Sequence, residues 1–152
     1  MAAIRLAQAA DIQAVCRIYA HDVQTSAATF EIDAPEEKEM ERRRPSVASS
    51  GLPYLVIQQD SAIVGYAYAG QYRPRHAYPF TVEDSISIDA DATGQGLGRL
   101  LLAELIKHCE QAGSRQMIAV VADSANVGSV GAKFGAWYDT ALMQRALGPP
   151  AP

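Results

Sequence analysis

The sequence predicts an α/β fold of the α+β type, with a mostly antiparallel central sheet and helices on both of its faces. Three observations support this prediction. Two β-rich runs separated by a short turn give a hairpin pattern over residues 54–70. Residues 81–89 then alternate strictly in the direction of their side chains. A glycine-rich loop and an apolar-striped helix follow and lead into the apolar run 116–122, which adds a strand–loop–helix–strand unit to the antiparallel strands.

The first third of the chain predicts one strand and two helices. Residues 3–7 alternate weakly and form the first strand. Asp11 is placed to cap a helix with one apolar stripe. That stripe consists of Ile12, Val15, Cys16 and Tyr19. Residues 25–33 break the pattern and are expected to form a loop, and a charge-rich helix over 35–44 is expected to end near Pro45.

The middle of the chain predicts antiparallel strands. Tyr54–Gln58 and Ala62–Gly70 are strands joined by a turn around Asp60 and Ser61. Two prolines make residues 71–80 a loop. In the alternating run that follows, one face carries Val82, Asp84, Ile86 and Ile88, and the other carries Glu83, Ser85 and Ser87.

The last third predicts a helix and two more strands. Leu101, Leu105 and Cys109 form the main stripe of the helix, and Gly113 is placed as its C-cap. The run "QMIAVVA" is a buried strand, and "AWYDTALMQRAL" is the final strand. We expect a single domain over 1–147 and a frayed tail over 148–152.

Composition weighs against several classes of function. The 152 residues are 49% hydrophobic and 20% charged, as in ordinary soluble proteins. A net charge of −4 gives no basic surface for nucleic acid or for an anionic membrane. Cys16 and Cys109 lie in helical stripes without the spacing of metal ligands, so no metal site is predicted. No run reaches membrane-spanning length and no signal core is found, so a cytoplasmic location is expected.

The loop "TGQGLGR" over 93–99 places three glycines directly before a helix. A P-loop requires Lys and then Ser or Thr after the last glycine, whereas Gly98 is followed by Arg99 and Leu100. The hairpin-rich first half argues against a dinucleotide-binding fold. Two interpretations remain open: an ordinary turn, and a seat for a pyrophosphate built from backbone N–H groups at a helix N-terminus.

Several segments together resemble a known family. "IDADATGQGLGRLLLAELI" resembles the acyl-CoA-binding segment of the GNAT superfamily of N-acetyltransferases. "AATFEI" at 27–32, "GYAYAGQYRPRHAYPFTVEDSISID" at 65–89 and "VGAKFGAWYDTALMQRAL" at 130–147 resemble its phosphinothricin and methionine sulfoximine acetyltransferase subfamily. The resemblance implies a GNAT-like fold, acetyl-CoA as co-substrate, a small-molecule amine as substrate and a homodimer with Lys133 and Phe134 near the partner's site.

The same resemblance implies which residues hold the co-substrate. Backbone groups of three strand residues would contact the pantetheine arm, six loop residues would wrap the pyrophosphate, and one further residue would contact the cofactor. In that order, these residues are Ile86, Ser87 and Ile88; Gly94, Gln95, Gly96, Leu97, Gly98 and Arg99; and Asn126.

The chain departs from the family pattern in two places. The family begins the glycine loop with Gln or Arg, and this chain has Thr93. Between Ser129 and Val130 it lacks a segment of roughly twenty residues that forms the penultimate helix and an edge strand in the family. The final strand is still expected to run antiparallel beside the strand over 116–122.

Acetyl transfer to an amine needs a base, and Glu83 is the candidate. Alternation alone favours a solvent-facing strand glutamate, and the resemblance of "TVE" to the family favours the base. Arg73 and Arg75 are candidates for gripping a substrate carboxylate, with solvated loop arginines as the alternative. Phe30 is a candidate apolar wall of the substrate site, with core packing as the alternative.

The function predicted from the sequence is acetyl-CoA-dependent acetylation of the α-amine of a small amino-acid-like substrate by direct transfer. Phosphinothricin, methionine sulfoximine and methionine sulfone are the expected types. Two alternatives stay open. The first is a protein that binds CoA but is catalytically weak or silent, and the second is an acetyltransferase for another amine class such as protein N-termini.

Overall fold

The computed structural model describes residues 1–73, 75–123, 131–134 and 136–148. Three helices and seven strands lie within these ranges. The elements are β1 (Ala2–Leu6), α1 (Ile12–Thr25), α2 (Glu37–Ser49), β2 (Tyr54–Gln59), β3 (Ala62–Gln71), β4 (Thr81–Ile88), α3 (Leu97–Gln111), β5 (Gln116–Asp123), β6 (Gly131–Lys133) and β7 (Ala136–Ala146). Among the described helices, none has the length and apolar character needed to cross a bilayer.

The strands form one sheet in the order β1-β2-β3-β4-β5-β7-β6. Within this sheet, β4 and β5 pair in parallel and every other neighbouring pair is antiparallel. The helix α3 connects the two parallel strands, as the strand–loop–helix–strand pattern predicts. The predicted α/β fold with a mostly antiparallel sheet is therefore confirmed.

Two apolar cores cover the two faces of the sheet, so the prediction of helices on both faces is also confirmed. On one face, Leu97, Leu101, Leu105 and Cys109 of α3 pack against the central strands. On the other face, α1 and Met40 of α2 pack against residues of β2 and β3. Burial raises the pKa of the Cys109 thiol to about 12, which suits a packing role for this residue.

Two local turns follow the predicted chemistry. Asp60 and Ser61 have φ angles of +47° and +70°, as a two-residue type I′ hairpin turn requires. Gly113 has a φ of +87° and follows the end of α3. The amide of Ser114 donates to the carbonyl of Cys109 at 2.9 Å, which completes a Schellman C-cap.

Two predictions about helix ends need correction. The helix α2 does not end near Pro45 but continues to Ser49. Proline removes one donor, and the carbonyl of Glu41 that loses its partner is on an exposed residue, so solvent can hydrate it. Asp11 does precede α1, but its carboxylate accepts from Arg5 at 2.6 and 2.8 Å and from the Gln8 amide at 2.7 Å instead of capping the helix.

The C-terminal half of the sheet has the expected arrangement. The last strand, β7, runs antiparallel beside β5 from Gln116↔Ala146 to Asp123↔Asp139. Only seven residues, 124–130, connect β5 to β6, and they lie outside the described residues. This length is compatible with the predicted loss of a segment of roughly twenty residues. What is left of an edge strand is the three-residue β6, which pairs with β7.

Candidate active site

The sheet opens where its two parallel strands diverge. Strand β4 pairs with β5 only from Thr81↔Gln116 to Glu83↔Ile118, although both strands continue for five more residues. The other edge of β4 stays paired with β3 as far as Ile88. A V-shaped gap therefore lies between β4 and β5, with Glu83 at its narrow end.

Backbone groups of β4 face this gap in alternation. The Asp89 amide donates to the Val64 carbonyl of β3 at 2.9 Å. Because backbone groups of successive residues point to opposite edges of a strand, those of Ser87 also face β3, and those of Ile86 and Ile88 face β5. Ile86 and Ile88 therefore present N–H and C=O groups to the gap, whereas the backbone groups of Ser87 face β3 and Ser87 also lines the cavity.

A cavity of about 670 Å³ occupies the gap. Its walls come from α1, the loop over 26–30, β3, β4 and β5. The lining residues are Tyr19, Asp22, Ser26, Ala27, Ala28, Thr29, Phe30, Tyr68, Glu83, Asp84, Ser85, Ile86, Ser87, Ala119, Val120, Val121 and Ala122. The cavity thus brings together Glu83 and Phe30, which are far apart in the sequence, with the backbone edge of β4.

Glu83 has the environment of an acid–base group. It is partly buried in the cavity wall, and burial followed by the charge of Asp84 raises the pKa of its carboxyl above the ordinary range. A carboxylate with a raised pKa is a stronger base than an exposed one. Glu83 is thus a partly buried residue of the cavity wall, and its role as the base stays a prediction.

Asp84 is the neighbouring carboxyl group, and its surroundings differ. Its Oδ1 atom is buried without a hydrogen-bond partner among the described residues. Burial raises its pKa as well, and its charge acts on the buried Cys109 thiol of α3. Asp84 therefore lines the cavity together with Glu83, and its charge also acts on α3.

The glycine loop lies beyond the wide end of the gap. Gly94 and Gly96 have φ angles of +75° and +76°, and α3 begins at Leu97. Among the described residues, no backbone carbonyl accepts from the amides of residues 94–99, whereas the Leu100 amide donates to Gly96. No atom lies within 4 Å of where a Cβ would project from Gly94 or Gly96, so the approach to these amides is open.

This cradle has the properties of an anion site. Successive free N–H groups at a helix N-terminus converge with the positive end of the helix dipole. Arg99 is exposed in the first turn of α3 and adds positive charge. The Gln95 side chain instead accepts from Gln59 at 3.2 Å, so this residue offers its amide rather than its side chain.

A salt bridge that sequence reasoning missed holds the start of the loop. Arg17 of α1 donates to Asp89 at 2.6 Å. The other oxygen of Asp89 accepts from the Asp91 amide at 3.2 Å and so caps the short 3₁₀ turn Ala90–Ala92. Arg17 and Asp89 lie 72 residues apart, and no local pattern signals such a long-range pair.

The loop that carries Phe30 is anchored from two sides. The Tyr19 hydroxyl lies 3.0 Å from the Thr29 hydroxyl, which also accepts from the Glu31 amide at 3.2 Å. Lys133 of β6 is 6% exposed, and its Nζ donates to the carbonyls of Ser26 at 2.9 Å and Thr29 at 3.0 Å. Phe30 lines the cavity with 39% of its surface exposed, so it is not a core residue.

The structure does not bring the predicted carboxylate-binding arginines into the cavity. Arg73 and Arg75 are exposed on the loop between β3 and β4 and are not among the lining residues. The Arg73 guanidinium lies 5.1 Å from the ring centroid of Tyr72, and the Arg75 amide donates to the Arg73 carbonyl at 2.8 Å. The loop ends at Thr81, two residues before Glu83.

The remaining site residues divide into one that is not described and two that were missed. Asn126, a predicted cofactor contact, lies outside the described residues. Tyr19 and Tyr68 line the cavity and were not predicted as site residues. The apolar stripe of α1 suggested that Tyr19 was a core residue. A polar hydroxyl at the end of that stripe was the available signal, because buried hydroxyls need a partner.

The arrangement is typical of a site that binds a long anionic ligand beside a general base. An open cradle for an anion leads into a gap edged by free backbone groups, and the gap narrows to a partly buried carboxylate. A family model confirms the class: residues 12–132 match the "Acetyltransferase (GNAT) family". The chain belongs to this family.

Individual relatives narrow the comparison. The chain is 47% identical to the phosphinothricin N-acetyltransferase of Alcaligenes faecalis over 161 aligned positions, covering 95% of this chain and 82% of the relative. It is 32% identical to the L-methionine sulfoximine/L-methionine sulfone acetyltransferase of Salmonella typhimurium, covering 95% and 94%. The crystal structure of a phosphinothricin acetyltransferase from Sinorhizobium meliloti in complex with AcCoA superposes with a TM-score of 0.92 at 41% identity, covering 97% and 89%.

The length of these alignments bears on the predicted deletion. The alignment with the Alcaligenes enzyme has more positions than this chain has residues, 161 against 152. That relative therefore carries residues without a counterpart here. This agrees with a chain that has lost an internal segment relative to its family.

Proposed function

We propose that this protein is an acetyl-CoA-dependent N-acetyltransferase that acetylates the α-amine of small amino-acid-like substrates of the phosphinothricin, methionine sulfoximine or methionine sulfone type. The observation that carries the proposal is the position of Glu83. It lies at the narrow end of a gap whose wide end opens toward an anion cradle. The names of the relatives support the substrate class.

Acetyl-CoA supplies the acetyl thioester, and residues of this chain are suited to hold it. The amides of Gly94, Gln95, Gly96, Leu97, Gly98 and Arg99 would bind the pyrophosphate. Ile86 and Ile88 would bond to the amide groups of the pantetheine arm. Asn126 is proposed as a further contact. The open space above Gly94 and Gly96 fits a bulky anion, which a Cβ would partly block.

Glu83 would act as the general base. An amine must lose a proton to become a nucleophile, and its attack releases a second proton. The raised pKa of the Glu83 carboxyl brings its basicity closer to that required at neutral pH. Direct transfer within a ternary complex needs no nucleophile from the protein. In agreement, burial raises the pKa of both free thiols, Cys16 and Cys109, and disfavours their thiolate forms.

The acceptor would lie between Glu83 and Phe30. Phe30 provides an apolar wall, and the guanidiniums of Arg73 and Arg75 are proposed to pair with the carboxylate of the acceptor. Both arginines are on the loop that enters β4 next to Glu83, and their exposure leaves their donors accessible. Closure of this loop over the acceptor would bring them to the site.

A weak or silent acetyl-CoA-binding protein is the second candidate, because one observation favours it. The connection between β5 and β6 is only seven residues long, and the alignments leave residues of the relatives without a counterpart. The predicted missing helix would normally contribute to the cofactor region. This candidate predicts binding of acetyl-CoA without turnover.

We also propose a homodimer in the cytoplasm. The exposed apolar side chains of Val121 on β5 and Met143 on β7 lie on the same face of the sheet and supply a surface that a second copy would cover, and Phe134 is exposed close to this sheet edge. Acetyl-CoA is a cytoplasmic metabolite, and two free cysteines suit a reducing compartment. Sedimentation of the purified protein tests the dimer.

Thiol release in the presence of acetyl-CoA tests the proposed function. L-Methionine sulfoximine, phosphinothricin and methionine sulfone should release thiol, whereas a peptide with a free N-terminus should not. The carboxamide of methionine sulfoximine should be a poor acceptor, and replacing both arginines (R73Q/R75Q) should abolish the difference between acid and amide. Thermal stabilisation by acetyl-CoA without thiol release from any amine would favour the silent protein. Turnover of the peptide alone would contradict the substrate class.

A further inference from the structure

We propose that Lys133 is a positioning residue that fixes the acceptor-binding wall of the cavity from the edge of the sheet. Lys133 ends β6 and is almost fully buried, with 6% of its surface exposed. Its Nζ donates to the carbonyls of Ser26 at 2.9 Å and Thr29 at 3.0 Å, more than one hundred residues away in the sequence. This inference rests on the proposed function, because it concerns the wall that the acceptor contacts.

The burial of the Lys133 ammonium group is unusual for a charged side chain. Lysine is almost never fully buried unless its charge is compensated, since desolvation of the charge is costly. Here two backbone carbonyls accept from it, and the Phe134 ring centroid lies 5.0 Å from Nζ. The partners are fixed groups of the loop and not a mobile carboxylate, so the interaction fixes the loop backbone itself.

The loop to which Lys133 donates its hydrogen bonds forms a wall of the cavity. Residues 26–30 all line it, and Phe30 directly follows one of the two bonded residues, Thr29. The loop is also held by the Tyr19 hydroxyl, which lies 3.0 Å from that of Thr29, and by local bonds from the Ala28 amide to the Ser26 hydroxyl at 3.0 Å and from the Glu31 amide to the Thr29 hydroxyl at 3.2 Å. Next to Phe30, Glu31 accepts from Arg43 of α2 at 2.9 Å. Lys133 therefore supplies the charged contacts to the backbone on the Thr29 side of Phe30, and the Arg43–Glu31 pair holds the other side.

The position of Lys133 separates acceptor binding from acetyl-CoA binding. The bonds from Lys133 act on residues 26–30, whereas the proposed acetyl-CoA contacts are in β4, in the loop over 94–99 and at Asn126. Loss of the hydrogen bonds from Lys133 should therefore weaken acceptor binding and leave acetyl-CoA binding intact. A residue that only stabilises the fold would affect both.

Replacement of Lys133 by Met, which keeps length but removes the charge, tests the proposal. Loss of two charge-assisted hydrogen bonds should raise KM for L-methionine sulfoximine about tenfold. The Kd for acetyl-CoA should stay within about twofold, and the amides of Ala28 and Glu31 should exchange hydrogen faster. K133R, which keeps donors for both carbonyls, should restore much of the acceptor affinity. K107M, which changes an exposed lysine of α3, is the matched control.

Each outcome decides the proposal. Unchanged KM and unchanged exchange in K133M contradict it, and so does an equal loss of acetyl-CoA and acceptor binding. Should K133M fail to fold, K133Q keeps a neutral donor and should give the same pattern at reduced size. Should the wild-type protein acetylate no amine, the proposed function fails. Hydrogen exchange of the loop amides in K133M still tests, independently of activity, whether Lys133 holds the loop.

Discussion

Glu83→Gln removes the proposed base while keeping the size of the side chain. General-base catalysis contributes about 10²- to 10⁴-fold to the rate. The Glu83 carboxyl is partly buried and its pKa is raised, so it is a more effective base than an exposed glutamate. We therefore expect kcat with L-methionine sulfoximine to fall at least about 100-fold, which corresponds to about 2.7 kcal/mol of transition-state free energy.

Binding of acetyl-CoA should be largely unaffected by this change. Ile88 lies five positions after Glu83, a distance of about 17 Å along an extended strand, and the glycine loop lies further on. The Kd for acetyl-CoA, measured by calorimetry, should stay within about twofold of the wild-type value. Glu110→Gln, which changes an exposed glutamate of α3, is the matched control and should leave both quantities unchanged.

The pH dependence gives an independent test of the same assignment. The base acts only when deprotonated, so kcat/KM should fall as the pH decreases through the raised pKa of Glu83. Asp84 is the second cause of that raised pKa, after burial. D84N should therefore move the acid limb to lower pH, and E83Q should have no such limb. An E83Q enzyme that keeps more than half of its activity and an unchanged acid limb would refute the assignment.

Three further predictions concern the loop and the stability of the fold. G96V should weaken acetyl-CoA binding at least tenfold, because φ at Gly96 is +76° and the new side chain fills the cradle. G113A, at a φ of +87°, should lower the stability by about 1 kcal/mol without changing the affinity for acetyl-CoA. Calorimetry measures the binding and the unfolding of both variants. D84N should stabilise the protein at pH 7 by on the order of 1 kcal/mol in urea unfolding, since burial raises the pKa of the Asp84 carboxyl. Because that pKa is raised in the folded state, the stability of the wild type falls as the pH rises through it. The stability gained by D84N should therefore vanish below pH 3.8, the ordinary pKa of the carboxyl. R5M should destabilise the fold by about 1–3 kcal/mol at pH 7, because it leaves the Asp11 carboxylate buried without its partner; Arg5 lowers the pKa of Asp11, so its contribution is lost as the pH falls through that lowered pKa, and an equal loss at pH 7 and pH 3 would contradict this reasoning.

The elements with strong local signals could be predicted from the sequence. The positive φ angles of Asp60 and Ser61 follow from a two-residue hairpin connection, and Gly113 ends α3 because a glycine is favoured in the left-handed conformation there. The end of α2 could not be predicted from Pro45. The cost of the missing donor depends on whether water reaches the freed carbonyl, and this is a property of the folded surface.

The candidate site likewise combines features that the local sequence indicates with features that depend on the folded structure. The glycine loop is a local feature, so the sequence alone gives an anion site as one of two interpretations, and the free amides in the structure favour it. The environment of Glu83 depends on the divergence of β4 from β5, which no local pattern encodes. Two further contacts join segments that are distant in the sequence. They are the hydrogen bonds from Lys133 to the loop over 26–30 and the Arg17–Asp89 salt bridge. Such pairs become visible only when the fold brings them together.

A crystal structure of the protein with acetyl-CoA would test the central claim most directly. Our account predicts that the diphosphate accepts hydrogen bonds from the amides of residues 94–99, that the arm lies along Ile86 and Ile88, and that the thioester ends near the Glu83 carboxylate. A diphosphate bound elsewhere, or a gap between β4 and β5 that stays free of acetyl-CoA at saturating concentration, would contradict it.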